Sequence, residues 1–446
     1  MDYIQNTPAE AAEMLKSIGA PSVDQLFSAI PDAVRLKRPL DLPPALPEQD
    51  LFAHLQALAG RNRTFDAGRC FLGAGAYNHY VPAVVDALSS RGEFLSAYTP
   101  YQAEASQGTL QHIFEFQTMM CELTGLDAAT ASHYDGATAL HEAVAMSLDR
   151  TERRKVVLSG AINPQYRKVV KSLLRSLDVQ VIEVAHARGV TPVSTLREAA
   201  TDAACLVVQN PNYFGILEDL PGVAEAAKAA GALAVASVNP TSLGLLRPPG
   251  DCGFDIAVGE AQPLGIEMGF GGPWCGFIAA KKDLIRGLPG RLVGETVDLA
   301  GQRGFVLTLQ AREQHIRREK ASSNICTNQA YMALRATIYL ETLGPGGLRR
   351  VAEICVERAH ALADRLAKIP GVHLAWKAPF FHEFVLQVQQ PEALLQRLLD
   401  RGFLGGLALS TTHRDLRDHI LVCCTERNMP SDLDAFAAAF AESVGV

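Results

Sequence analysis

From residue 155 onward, short apolar runs alternate with stretches of helix length. The runs fall at 155–158, 179–184, 205–208, 233–238, 256–258 and 276–280. Brief apolar runs separated by helical segments mark strands buried on both faces, and they predict βαβ units in a mostly parallel sheet. The fold class is therefore α/β. Beyond 325 a helical pattern reaches 342 and stops at Gly344-Pro345-Gly346-Gly347. The tail then reads as helix, strand (383–388), helix (392–400), strand (420–424) and helix (433–443), which predicts a separate small α+β domain. At the other end, Thr7 can cap a helix with Pro8 in its first position and Glu10 completing a capping box, and Gly19 offers a stop. A short helical pattern follows at 22–30. Pro39, Pro43, Pro44 and Pro47 then require extended chain. The expected organisation is an N-terminal helical arm and extended strap (1–60), a large α/β domain (61–335) and a small C-terminal domain (336–446). No repeat of 20–50 residues is visible.

Composition narrows the function. Of the 446 residues, 48% are hydrophobic, which excludes a disordered chain. The net charge is −7 with Lys and Arg scattered, so there is no basic stripe and nucleic acid is not an expected partner. Residues 1–10 lack the features of a secretory signal. The most apolar segment, 229–238, is far shorter than the roughly 20 residues that span a bilayer, and no membrane association is expected. The nine cysteines are odd in number, contain no C-x-x-C, and include one adjacent pair that cannot bridge without strain. They read as reduced thiols of a cytoplasmic protein.

Three segments are dense in polar, aromatic and glycine residues. They are 71–80 (FLGAGAYNHY), 98–108 (YTPYQAEASQG) and 312–324 (REQHIRREKASSN). The second runs into a helix whose apolar positions Leu110, Ile113, Phe114, Met120 and Cys121 share one face. Separately, these segments read as a glycine turn, a capped helix start and a solvated charged face. His79, His112, His133 and His315 lie within or close to such segments and are either proton relays or hydrogen-bonded structural histidines. No histidine pair at i, i+4 has a third ligand nearby, so no metal is expected.

Together with 133–139 (HYDGATA) and 239–245 (NPTSLGL), these segments resemble the glycine dehydrogenase (decarboxylating) family, the P protein of the glycine cleavage system. The resemblance covers nearly the whole chain and is weakest at its two ends. The length fits the first subunit of the family's two-subunit form. The resemblance implies a fold type I pyridoxal-phosphate architecture and glycine dehydrogenase (aminomethyl-transferring) activity. In that reaction glycine is decarboxylated on pyridoxal phosphate, the aminomethyl group passes to the lipoyl arm of the H protein, and lipoamide takes up the electrons.

That chemistry needs a Schiff-base lysine, an acid against the pyridine nitrogen and a phosphate cup at a helix N-terminus. By comparison with the family's catalytic subunit, Ala261 and Gln262 stand at the His and Lys positions, and Asn239 stands at that of the acid. Asp135 stands where the catalytic subunit has a serine at the cup, and it reads as a helix N-cap instead. None of the eleven lysines matches the Schiff-base position. The resemblance therefore implies a chain with no catalytic residue or covalent cofactor of its own, paired with a pyridoxal-phosphate-bearing second subunit, as αβ or α2β2. Tyr98, Thr99, Tyr101, Gln102 and Glu104 are the leading candidates to complete the partner's site, or else only seal the interface. Asn78, His79 and Asn324 belong to the same candidate group. Arg317, Arg318 and Lys320 either attract glycine carboxylate or acidic patches of the H protein, or pair with Glu313 and Glu319. Two other readings are a self-sufficient pyridoxal-phosphate aldolase or transaminase using Lys281 or Lys282, and a catalytically silent scaffold.

Overall fold

The computed structural model describes residues 5–96, 98–321 and 323–444. The chain divides into two compact units between Thr64 and Phe65.

In the first unit the helix Pro8–Ser17 opens on the expected capping box. The Glu10 amide donates to Thr7 Oγ1 at 3.3 Å, and the Thr7 amide donates to Glu10 Oε2 at 2.7 Å. The pattern at 22–30 forms only a 3-10 turn, Val23–Phe27. Directly after the prolines a helix that was not anticipated forms, Glu48–Ala59. Its signals are local: Glu48 and Asp50 favour the first turn, and Leu51, Leu55 and Leu58 recur at helical spacing.

The second unit holds a seven-stranded sheet of β1 (Ala128–Ala129), β2 (Lys155–Ser159), β3 (Gln180–Val184), β4 (Cys205–Asn210), β5 (Leu233–Val238), β6 (Ile256–Glu260) and β7 (Gly276–Ala280). Their order is β1-β7-β6-β5-β4-β2-β3. Strands β2 to β6 are parallel, whereas β7 pairs antiparallel with β6 and with β1. All six anticipated runs are strands. An apolar run reports burial and not direction, so the reversal of β7 had no signal.

Helices cover both faces. Leu140, Ala143 and Val144 of the helix Gly136–Thr151 pack on Val156, Leu158 and Val258. On the other face Phe116 and Met120 of the helix Gln107–Thr124, with Tyr339 of the helix Ala330–Leu366, pack on Leu206, Val208 and Ala257. The same Gln107–Thr124 helix holds an unanticipated hairpin, β8 (Leu292–Val297) and β9 (Arg303–Thr308). Two of its glutamines act as extra strand partners. Gln117 accepts from the Val293 amide and donates to its carbonyl, both at 2.9 Å, and Gln107 does the same to Phe305 at 2.8 Å.

The helix expected from 325 begins instead at Ala330, because the Asn328 side chain and the Gln329 amide both donate to Ser132 Oγ at 3.1 and 3.0 Å. The break anticipated at 344–347 is present: Gly344 takes φ +60°, interrupting the helix before Pro345. The tail builds a four-stranded antiparallel sheet from β10 (His373–Leu374), β11 (Glu383–Gln387), β12 (Leu407–Ala408) and β13 (His419–Cys423), ordered β10-β11-β13-β12. Phe384, Leu386, Ile420 and Val422 pack there against Leu362, Leu366, Phe436 and Phe440. All nine cysteines are free thiols. No helix among the described residues is long and apolar enough to cross a membrane.

Candidate functional site

The segment 71–80 joins the two sheets. Phe71 stacks on Phe436 at 3.9 Å. Ala74 sits at φ +64°, held by its amide donating to Glu383 Oε1 at 2.7 Å, and Tyr77 Oη donates to Glu383 Oε2 at 2.8 Å. A Cβ on Gly73 would lie 2.3 Å from the same carboxylate, so only glycine permits this approach. Further along, His79 Nδ1 meets Glu426 Oε2 at 2.7 Å. The Thr425 hydroxyl donates to the Asn78 carbonyl at 2.9 Å, and Arg427 donates to Asn78 Oδ1 at 3.0 Å. The structure therefore turns Asn78 and His79 inward, as clamps on the C-terminal sheet.

Two carboxyls of this clamp are tuned in opposite directions. Burial pushes Glu383 up to about 7, against the pull of the Ala74 amide and the Tyr77 hydroxyl. Burial also raises Glu426, but His79 and the Tyr80 amide outweigh it and bring the carboxyl down to about 2. His79, Cys355 and Glu426 bring ligand-type atoms within 4.8 Å of one another. Burial holds the Cys355 thiol well above its ordinary range, so it stays protonated and donates to Glu426 Oε2 at 3.5 Å. The group is a hydrogen-bonded cluster around the Glu426 carboxylate, and no metal role is assigned to it.

A cleft opens where β4, β5 and β6 end, in two lobes of about 30 and 270 Å³ that share Gly75, Asn163, Tyr166 and Glu260. Gln262, just past β6, is buried and fully engaged by backbone. Its Oε1 accepts from the Tyr77 amide at 2.9 Å, and its Nε2 donates to the carbonyls of Tyr77 and Ile266 at 3.0 and 2.8 Å. Asn239, just past β5, accepts from the Thr241 amide at 3.0 Å and leaves Nδ2 buried without a partner. Asp135 caps the helix Gly136–Thr151, accepting from the Thr138 amide at 2.8 Å as the sequence suggested. Ala261 is fully buried.

The donor set of this cleft does not fit pyridoxal phosphate. Among the described residues no lysine lines either lobe. The first amide of the helix, Gly136 N, already donates to Glu260 Oε2 at 3.0 Å. An incoming phosphate would meet the Asp135 carboxylate and the Glu260 carboxyl, which burial raises to about 7 against the pull of its three amides, at the position where helix amides would otherwise attract it. Lys281 and Lys282 lie elsewhere. Lys281 pairs with Asp255 Oδ1 at 2.6 Å, and Asp255 precedes β6, whereas the cleft is at that strand's far end. Five residues of strand, about 16 Å, separate the two.

The remaining candidates face outward. Tyr98 is 88% exposed and Tyr101 55%, and Gln102 and Glu104 are also exposed, with Thr99 half-buried. Tyr101 lies edge-on to His315 at 5.9 Å, with Arg291 over its ring at 5.7 Å, so segments 98–104 and 312–320 meet there. Arg317, Arg318 and Lys320 are exposed, and among the described residues they form no ion pair. Glu313 instead approaches His315 at 3.7 Å. Asn324 is exposed beside a cavity of about 430 Å³ that also touches Tyr134, His141 and Glu142. His112 and His133 are buried, and desolvation lowers them to about 4 and about 3, so neither carries a proton near neutrality. Glu260, Glu383 and Glu426 were not anticipated, since each closes on a distant part of the chain: Gly136, Ala74 and His79 respectively.

A seven-stranded, mostly parallel sheet with helices on both faces, a cleft at the strand ends and a small antiparallel domain define the fold type I architecture of pyridoxal-phosphate enzymes. The same overall shape is found in a sphingosine-1-phosphate lyase of Burkholderia pseudomallei (TM-score 0.67, 15% identity, 93% of this chain and 94% of that one). The chain belongs to the glycine cleavage system P-protein family, whose model matches residues 1–440. It is 49% identical over 441 residues to a probable glycine dehydrogenase (decarboxylating) subunit 1 of Moorella thermoacetica, covering 98% of this chain and 99% of the relative. A crystal structure of glycine decarboxylase (P-protein) of the glycine cleavage system, in inhibitor-bound form, superposes with TM-score 0.90 at 49% identity, over 99% of this chain and 100% of that one.

Proposed function

We propose that this chain is the non-Schiff-base subunit of a heteromeric glycine dehydrogenase, acting in the glycine cleavage system with a second subunit that carries pyridoxal phosphate. The observation that carries this reading is Gln262: its amide cannot form an imine, and three backbone hydrogen bonds engage it in holding Tyr77 and Ile266. Our reading is of an αβ pair, doubled to α2β2, in which the exposed 98–104 loop closes the partner's site. The exposed cations Arg317, Arg318 and Lys320, which form no ion pair among the described residues, offer complementary charge to glycine carboxylate or to an acidic surface of the lipoyl-bearing H protein. The domain boundary near residue 335 is part of the same proposal. A self-sufficient enzyme using Lys281 or Lys282 is opposed by their place at the far end of β6 and by the Lys281–Asp255 ion pair.

Borohydride reduction tests the assignment. The purified chain and its complex with the second subunit are each mixed with pyridoxal phosphate, reduced and digested. The expected outcome is a pyridoxyl-lysine peptide from the second subunit alone. A pyridoxyl-lysine on this chain contradicts the proposal.

A further inference from the structure

The anion seat of this cleft is filled by the protein's own side chain. Glu260, the last residue of β6, is 7% exposed and accepts three backbone amides: Cys275 N at 2.7 Å, Gln262 N at 3.0 Å and Gly136 N at 3.0 Å. Gly136 opens a helix of 16 residues, whose N-terminus carries partial positive charge. Backbone amides converging at a helix N-terminus are the usual cradle for an oxyanion ligand. Here a carboxyl group arriving from an adjacent strand takes that place. The site is built around it. A Cβ on Gly136 would lie 2.4 Å from Tyr166 Oη, so glycine lets the tyrosine close over the helix end, and Tyr166 lines the cleft beside Glu260. Asp135, at the same helix start, engages the Thr138 amide. The 270 Å³ lobe lies directly against both carboxylates and has room for a small ion.

We propose that Glu260 is a built-in substitute for an anionic ligand, so that this cleft is permanently self-occupied and closed to phosphate-bearing molecules. Replacing a lysine removes only the covalent bond to a cofactor. Filling the anion seat also removes the non-covalent attraction, and it gives the helix start a ligand that never dissociates. The cleft-side contacts of Gly136, Gln262 and Cys275 then hold their liganded geometry whatever the cofactor supply. This inference concerns the same cleft as the proposed function and does not depend on a partner subunit. A labelled lysine away from this cleft would overturn the earlier reading and leave this one standing, whereas indifference of the variant to phosphate would do the reverse.

The test removes both carboxylates and offers an ion in their place. Thermal melts of the wild type and of the double variant Asp135→Asn, Glu260→Ala are recorded in sodium phosphate and in sodium chloride at matched ionic strength. The wild type is expected to melt at the same temperature in both. The variant is expected to melt several degrees lower in chloride and to recover part of that loss in phosphate, saturably. Should it not fold in chloride, its refolding yield from denaturant in each salt gives the same comparison, with a higher yield expected in phosphate. Equal behaviour of the variant in the two salts, or a phosphate shift of the same size in the wild type, overturns the proposal.

Discussion

Replacing Glu426 by alanine is expected to lower the stability of the chain by about 3–5 kcal/mol, the cost of leaving several buried hydrogen-bond partners without their shared carboxylate. The carboxylate is 11% exposed and serves His79 Nδ1, the Tyr80 amide and the Cys355 thiol together, while the His79 side chain beneath it is 2% exposed. Its loss leaves the imidazole and the Tyr80 amide without their acceptor, and the end of segment 71–80 loses its hold on the C-terminal sheet. His79→Ala should cost a similar amount, and the double variant less than the sum of the two, because each single change already removes the shared interaction. Urea denaturation with all three variants checks this.

The pH dependence follows from the direction of the Glu426 shift. Its carboxyl titrates at about 2 in the folded chain against an ordinary 4.5. The unfolded chain therefore binds the proton more readily between these values. The stabilisation is present in full above pH 4.5 and is lost as pH falls toward 2, by about 3 kcal/mol. Glu426→Gln should show a flatter stability curve across that window. An unchanged slope would remove the lowered Glu426 carboxyl from the account.

The second large effect is expected in the assembled enzyme. Tyr101→Ala with Glu104→Ala should lower kcat about tenfold or more, equivalent to at least about 1.4 kcal/mol of transition-state stabilisation, with assembly intact. Both side chains are exposed, and among the described residues neither takes a hydrogen bond or ion pair within the chain. Truncating Glu104 should therefore change the stability of the isolated chain by less than about 0.5 kcal/mol, and truncating Tyr101, whose ring meets His315 and Arg291, by about 0.5–1.5 kcal/mol. Steady-state kinetics of the reconstituted complex, with its elution volume, separates two roles for this surface. Lower kcat in a normally assembled complex means that the loop helps to complete the partner's site. Unchanged kinetics makes this chain a scaffold.

What could be read in advance was governed by the range of the interactions. Apolar runs marked all six main strands because burial on both faces imprints every position, and the Thr7 and Asp135 caps were legible because each acts within three residues. The β8–β9 hairpin left a weaker imprint, with only alternate positions of β9 buried and its partner glutamines far upstream. Direction is not encoded in apolarity, so β7 was placed as a strand without its reversal. The site shows the same limit. Gln262 and Asn239 stood out because a resemblance supplied the positions to inspect. Glu260, Glu383 and Glu426 did not, since the helix start that Glu260 closes, the Ala74 amide and His79 lie 124, 309 and 347 residues away from them along the chain. Nothing local distinguishes a glutamate that will close a helix start or clamp a strap from one on a solvated face.

The most direct test of the central claim is release of labelled carbon dioxide from carboxyl-labelled glycine, with lipoylated H protein present. It is measured for this chain alone, for the pyridoxal-phosphate-bearing subunit alone and for the two mixed. The account predicts release only from the mixture, in a fraction where both chains elute together. Release by this chain alone, or a full rate from the second subunit without it, would contradict the account.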